Sequence, residues 1–341
     1  MSSTWFQSHR FPLGPSLALL LGVSALSLPG ATPAKPAPPP KAAPKKTPQS
    51  APAKPSASIS RNPYIGAIAI DADTGRVLVE DKADAQGYPA SMLKLMGLYL
   101  HLEKLKRGEL ALQDRVQVSA RAAKTGGSQV WLAEKEVFSV EDLLFALMIQ
   151  SANDAAVALA EKAAGSCEAF VALMNEKAKA LGMTRTTFQS VHGLPPGAGQ
   201  QPDRTTARDF AILCRALLSA HPETLRYTST RVRNFREAIP DKMIIMRTHN
   251  HLLADVPGCD GLKTGYFANA GFSVAATAAR DGRRVIAIVM GSSDRKVRDA
   301  RAADLIRQGF AMLAGSSPTS PATVPAGAAA PRPASPPSRS P

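Results

Sequence analysis

The chain has 341 residues, of which 41 are Lys or Arg and 27 are Asp or Glu, for a formal net charge of +14. That excess does not indicate nucleic-acid binding: no aromatic-interleaved basic motif accompanies it, and much of it stands at Lys35, Lys41, Lys45, Lys46 and Lys54, outside the stretch able to fold. Cys167, Cys214 and Cys259 fall at no metal-ligand spacing, and their odd number excludes a disulfide framework, so at least one is expected to be a free, buried thiol.

Residues 1–31 read as an export signal. A short polar region with His9 and Arg10 precedes an apolar run, Leu17-Ala18-Leu19-Leu20-Leu21-Gly22-Val23, which ends at Leu28 before Pro29-Gly30-Ala31. A membrane span needs about 20 apolar residues, so this run suits a cleaved secretory signal. An uncleaved N-terminal membrane anchor is the other reading, and no later apolar run is long enough to span a bilayer. Export would place the protein in the periplasm or cell-wall space. There its basic balance suits an acidic wall or membrane surface, or simply makes a solubilising linker. Residues 32–60 form a Pro/Ala/Lys linker and residues 316–341 a Pro/Ser/Ala tail, both too poor in apolar groups to offset chain entropy. Residues 61–315 have ordinary globular composition and can bury a sizeable core.

The folded stretch begins with a hairpin. Ile65-Gly66-Ala67-Ile68-Ala69-Ile70-Asp71 is a short apolar strand, Asp73-Thr74-Gly75 is turn chemistry, and Arg76-Val77-Leu78-Val79-Glu80 returns. Helical spacing of apolar residues follows over 91–105, 140–165, 168–181 and 207–218, the last with Thr206 as N-cap. Strands return at 261–266, 271–278 and 285–290, with Asp281-Gly282 as a tight turn, and a helix over 297–313 closes the chain, carrying Arg298, Arg301 and Arg307 among apolar positions. Two strands, a helical block, three strands and a helix predict an α+β fold. One antiparallel sheet built from both ends of the domain is flanked by helices, with a helical lobe inserted between and a cleft between the lobes.

Three short motifs carry chemistry. In Ser91-Met92-Leu93-Lys94, a helix puts both polar residues on one face. A serine needs a base, and a lysine serves as one when apolar surroundings depress its pKa; Met92, Leu93, Leu95 and Met96 provide them. In Ser151-Ala152-Asn153, a hydroxyl able to relay a proton and an amide able to hold a peptide group emerge from the apolar run 143–149. In Lys263-Thr264-Gly265, a cation and a hydroxyl suit a carboxylate, and glycine lets another backbone approach. Each motif is ambiguous alone. Ser293-Asp294-Arg295-Lys296 repeats the first in a polar stretch between strand and helix, and Lys124-Thr125-Gly126 repeats the third between helical segments, so both are set aside on context.

In this order and on these elements the three motifs resemble those of penicillin-binding proteins and serine β-lactamases. The likeness extends through Tyr88-Pro89-Ala90, Ser151-Ala152-Asn153-Asp154-Ala155-Ala156, Met174-Asn175, Leu181-Gly182-Met183, His192-Gly193-Leu194 and Asp260-Gly261-Leu262-Lys263-Thr264-Gly265-Tyr266. These look like the low-molecular-weight D-alanyl-D-alanine carboxypeptidases, over about residues 64–310. The resemblance implies that Ser91 attacks the carbonyl between the terminal D-alanines of peptidoglycan stem peptides and forms an acyl-enzyme. Lys94 would take its proton, and Ser151, aided by Lys263, would pass one to the leaving amine. Asn153 would hold the substrate backbone, Lys263 and Thr264 would bind the terminal carboxylate, Gly265 would keep the strand close, and the backbone N–H groups of Ser91 and Tyr266 would form the oxyanion hole. β-Lactam antibiotics would acylate the same serine. No cofactor is implied.

Thr248-His249-Asn250 stands where family members carry an Asn-Arg-Asn or Asn-His-Asn setting. His249 is therefore expected either as a carboxylate contact or, with His251, as a surface loop histidine; the pair lacks a third ligand for a metal. The C-terminal β-domain and terminal amphipathic helix of many relatives have no counterpart in the sequence after Leu313. A class A β-lactamase would need a Glu-x-x-Leu-Asn loop, which is not found, and the second motif has Ala152 where those enzymes usually carry Asp. A D,D-endopeptidase would use the same residues, and a non-catalytic wall-binding protein is disfavoured by three intact motifs. A Ser-His-Asp hydrolase is disfavoured because no Gly-x-Ser-x-Gly elbow occurs.

Overall fold

The computed structural model describes residues 63–315; the signal of 1–31, the linker of 32–60 and the tail of 316–341 lie outside the described residues. The first elements are the expected hairpin, β1 (Gly66–Asp71) against β2 (Val77–Asp81). Its turn is held by the Asp71 carboxylate, which accepts from the Asp73 N–H at 3.0 Å and the Thr74 hydroxyl at 2.7 Å, the local bonding for which Asp is favoured in turns. A 3₁₀ turn over Ala90–Leu93 then runs into α1 (Lys94–Lys106). Residues 94–102 are all buried, so α1 is a core helix with no wet face over that length.

The helical lobe follows. It contains β3 (Arg115–Gln117), α2 (Ala120–Ala123), β4 (Val137–Ser139), α3 (Val140–Phe145), α4 (Asn153–Ala164) and α5 (Cys167–Ala180). Next come α6 (Ala207–Ala220), α7 (Thr224–Thr228), and a hairpin of β5 (Val232–Phe235) with β6 (Ile244–Arg247). Hydroxyl N-caps start four of these helices, at Ser119, Ser139, Ser166 and the expected Thr206. The helix anticipated over 140–165 is not continuous. A π turn over Ala146–Gln150 ends at Ser151 in the left-handed conformation (φ 60°), and α4 starts afresh at Asn153. Apolar spacing alone does not reveal such a break, because the residues on both sides are buried in the same core.

The chain closes with α8 (Leu252–Asp255), β7 (Cys259–Phe267), β8 (Gly271–Arg280), β9 (Arg283–Ser292) and α9 (Arg295–Gly315). The five long strands form one antiparallel sheet in the order β2-β1-β9-β8-β7, so the two ends of the domain do make one sheet. One face, with Ile68, Ile70, Ile286, Ile288 and Met290, belongs to the core shared with α1 and α6; the other, with Ala67, Ala69, Val285, Ala287 and Val289, packs on Ala302, Leu305 and Ile306 of α9. Each large apolar side chain so buried contributes about 1.5–3 kcal/mol. The strand order leaves β7 at one edge of this sheet. Among the described residues no helix is long and apolar enough to cross a membrane, and no cluster of His, Cys, Asp or Glu could hold a metal. None of the three cysteines forms a disulfide, and Cys167 and Cys214 are buried.

Candidate active site

The structure brings the three motifs together. Ser91 lies in the 3₁₀ turn, which the Met92 N–H to Pro89 carbonyl bond closes at 3.1 Å, and Lys94 opens α1. The Lys94 nitrogen is 2.9 Å from Ser91 Oγ, 2.7 Å from Asn153 Oδ1 and 2.9 Å from the His192 carbonyl oxygen. A neutral lysine amine has two N–H bonds and one lone pair. With Asn153 and His192 each accepting one N–H, the lone pair is left for the Ser91 hydroxyl. Lys94 is fully buried while Ser91 is only partly so, the arrangement of a dry base beneath a nucleophile that substrate can reach.

Asn153 owes its place to the break before α4. Its Nδ2 donates to the Gly126 carbonyl at 2.8 Å and its own N–H to the Ser128 carbonyl at 2.8 Å. Asp154, fully buried, accepts from the Val130 and Leu132 N–H groups and pins the rest of that loop. The rejected Lys124-Thr125-Gly126 copy is therefore not a carboxylate strand, but its glycine carbonyl helps to hold Asn153. Ser151 is buried and lines the cleft.

Strand β7 supplies the opposite wall. Lys263, Thr264, Gly265 and Tyr266 pair with Ala275, Val274, Ser273 and Phe272 of β8, and because β7 is the sheet edge its other side faces the nucleophile turn. Gly265 is required there: a Cβ would lie 2.5 Å from the Pro89 carbonyl oxygen and 3.1 Å from the Met92 nitrogen. Tyr266 stands exposed at the cleft mouth, stacked on Phe272 with ring centroids 4.2 Å apart. The cleft, a cavity of about 320 Å³, is lined by Ser91, Ser151 and Thr264 together with His249, His251, Arg295 and Arg298.

Charge in the cleft is arranged by burial. Burial drives the Lys94 ammonium well below its usual range, and the nearby Lys263 charge lowers it further. Burial brings Lys263 itself to about 7, assisted by Arg298; its nitrogen donates to the Thr264 carbonyl at 3.1 Å. His249 opens to solvent on the cleft wall, yet the protein around its ring and the Lys263 charge hold it down at about 4. It is thus a neutral hydrogen-bonding group at neutral pH and not a cation.

The sequence places Arg298 on the closing helix but does not assign it to the site. It sits in the first turns of α9, is buried to 3% exposure and lines the cleft. Its Nη1 reaches the Ser273 carbonyl at 3.3 Å and its Nε the Asp299 carboxylate at 2.8 Å, while Nη2 stands 2.7 Å from the same carboxylate as an ion pair without an aligned hydrogen bond. Burial of an arginine inside an apolar helical pattern was the available signal. The His192 carbonyl was also overlooked, and a backbone acceptor leaves no mark in side-chain patterns.

A Ser-x-x-Lys turn beneath an edge strand bearing Lys-Thr-Gly, with a Ser-x-Asn break completing the site, is the arrangement of the penicillin-binding protein class. Within it the chain belongs to the D-alanyl-D-alanine carboxypeptidase family, whose model matches residues 55–294. It is 37% identical over 244 residues to D-alanyl-D-alanine carboxypeptidase DacF of Bacillus subtilis, covering 72% of this chain and 61% of the relative. It is 37% identical over 262 residues to DacC of Escherichia coli, covering 74% and 63%. The chain therefore spans a little over three-fifths of the length of these curated relatives. Among solved structures, penicillin-binding protein 5 from Haemophilus influenzae superposes with a TM-score of 0.67 at 30% identity, covering 72% of this chain and 70% of that one. Ampicillin-bound penicillin-binding protein D2 from Listeria monocytogenes gives 0.64 at 33%, covering 72% and 96%.

Proposed function

We propose that the protein is a serine-type D-alanyl-D-alanine carboxypeptidase that removes the terminal D-alanine of peptidoglycan stem peptides and is acylated by β-lactams. The observation that carries this reading is the dry Lys94 nitrogen 2.9 Å from Ser91 Oγ, set across from the edge strand that bears Lys263. Ser91 Oγ attacks the carbonyl between the two D-alanines as Lys94 takes its proton. The developing oxyanion is held by the backbone N–H groups of Ser91 and Tyr266. Lys263, Thr264 and Arg298 hold the terminal carboxylate, and Asn153 aligns the donor peptide. Ser151 relays the proton held by Lys94 to the leaving amine nitrogen as the C–N bond breaks, which leaves Lys94 neutral again. Water, activated in turn by Lys94, then cleaves the Ser91 ester and releases the shortened peptide.

The likeness to relatives named as D-alanyl-D-alanine carboxypeptidases supports exo-cleavage over the endopeptidase reading. Ampicillin bound in the Listeria relative supports penicillin recognition. The apolar run ending at Leu28 supports export to the periplasm or wall space. A fluorescent penicillin followed by peptide mapping tests the assignment. The label is expected on Ser91, and Ser91→Ala is expected to lose both label and D-alanine release. Cleavage that survives Ser91→Ala would remove the assigned nucleophile.

A further inference from the structure

Asp203 is buried to 6% exposure and makes no hydrogen bond to Ser91 or Lys94. Its Oδ1 accepts from the N–H groups of Gln189 at 2.6 Å and Ser190 at 3.0 Å, and its Oδ2 accepts the Ser190 hydroxyl at 2.8 Å. Ser190 Oγ in turn accepts the Gly193 N–H at 2.9 Å. The residues bridged in this way enclose His192, whose carbonyl accepts from Lys94 at 2.9 Å and lies 3.4 Å from Ser91 Oγ. Gly193 (φ 78°) rests so close to the nucleophile turn that a Cβ would lie 2.2 Å from the Ala90 carbonyl oxygen.

A backbone carbonyl has no rotamer of its own, so only the shape of its loop can aim it. Aim matters here because of the hydrogen count on Lys94. If the His192 oxygen turns away, a Lys94 N–H is free to rotate towards Ser91 and displace the lone pair. The amine is then present but wrongly oriented.

We propose that Asp203 is a positioning residue for the Ser91–Lys94 pair, acting through Ser190 to hold the His192 carbonyl against the Lys94 amine. The inference rests on the reading of Ser91 as nucleophile and Lys94 as its base. Asp203 also acts through its charge. Lys94 faces Lys263 from β7, Asp154 from α4, Asp203 from the segment before α6, and the rings of His192 and His249. The two carboxylates favour a protonated Lys94; burial and Lys263 oppose them and win. Removing the Asp203 charge therefore makes Lys94 a weaker holder of its proton, and a base at lower pH.

The test is the pH profile of acylation by a penicillin reagent for the parent, Asp203→Asn and Ser190→Ala. In Asp203→Asn the plateau rate is expected to fall by roughly tenfold as the carbonyl loosens, with the acid limb displaced to lower pH. Ser190→Ala keeps the charge and loses the bridge, so it should slow acylation with the acid limb unmoved. A purely structural role would not separate the two variants. An acid limb in Asp203→Asn at or above the parental pH, or a plateau in either variant within about twofold of the parent, overturns the proposal. If a thermal melt shows Asp203→Asn unfolded, the Ser190→Ala plateau decides alone on the same criterion. A parent that is not acylated on Ser91 sinks the functional reading itself; a parent acylated normally with unaffected variants sinks only the role of Asp203.

Discussion

Gly265 and Pro89 lie closer than any side chain would permit, since a Cβ on Gly265 would stand 2.5 Å from the Pro89 carbonyl oxygen. Both partners are backbone of rigid elements, so neither yields cheaply. Gly265→Ala should push the edge strand off the nucleophile turn and misplace the Tyr266 N–H relative to Ser91. Loss of one oxyanion donor costs about 10²–10³ in rate, and a drop of that order in acylation, with a lowered melting temperature, is expected. Stopped-flow acylation at parental speed would show that the close approach has no catalytic meaning.

Lys263 gives a pH dependence with a definite sign. Its folded-state pKa, about 7, lies below the ordinary lysine value of 10.5. The unfolded chain therefore binds more protons between those values, and stability rises with pH across that window. Below about 7 the burial penalty is present in full; near 10.5 it has gone. Lys263→Met should accordingly melt above the parent at neutral pH and converge on it in alkali. Catalysis runs the other way, because discharge of Lys263 above about 7 weakens carboxylate binding and raises KM. A melting difference that does not change with pH would contradict the buried charge.

Arg298 should be read through substrates that differ at one group. Arg298→Ala is expected to raise KM for a peptide ending in a free carboxylate by about tenfold or more, the worth of a charge-assisted contact. The same peptide with a C-terminal amide should lose little. Equal losses on both substrates would mean that Arg298 only supports the packing of α9.

The sheet, the helical lobe and all three motifs were legible because each depends on local signals: alternating apolar runs, a Thr206 cap, a Ser and Lys three apart. The break at Ser151 was legible only as the helical-lobe turn expected of the Ser-x-Asn motif; apolar spacing hid it, since residues 146–149 and Ala152 are all buried and the pattern runs through it. The pair β3 and β4 and the hairpin β5–β6 are three or four residues per strand, too short for a period to register. Arg298 and Asp203 join the site through tertiary contacts from distant segments, and the acceptor at His192 is backbone. Such groups become visible only once the chain has closed on itself.

Asn153 has a second task beyond the substrate, because its Oδ1 accepts from Lys94 at 2.7 Å. Asn153→Asp places a carboxylate at that distance from a buried amine. An adjacent opposite charge favours the protonated lysine, so Lys94 would hold its proton to higher pH and be unavailable as a base at neutrality. Acylation at pH 7 should fall by about 10² or more, the usual contribution of general-base catalysis, and recover in part as pH rises, with the acid limb displaced upwards. Asn153→Ala introduces no charge and should lose rate without moving the limb in that direction. A uniform loss in Asn153→Asp at every pH would reduce Asn153 to a substrate clamp and detach it from the proton chemistry of Lys94.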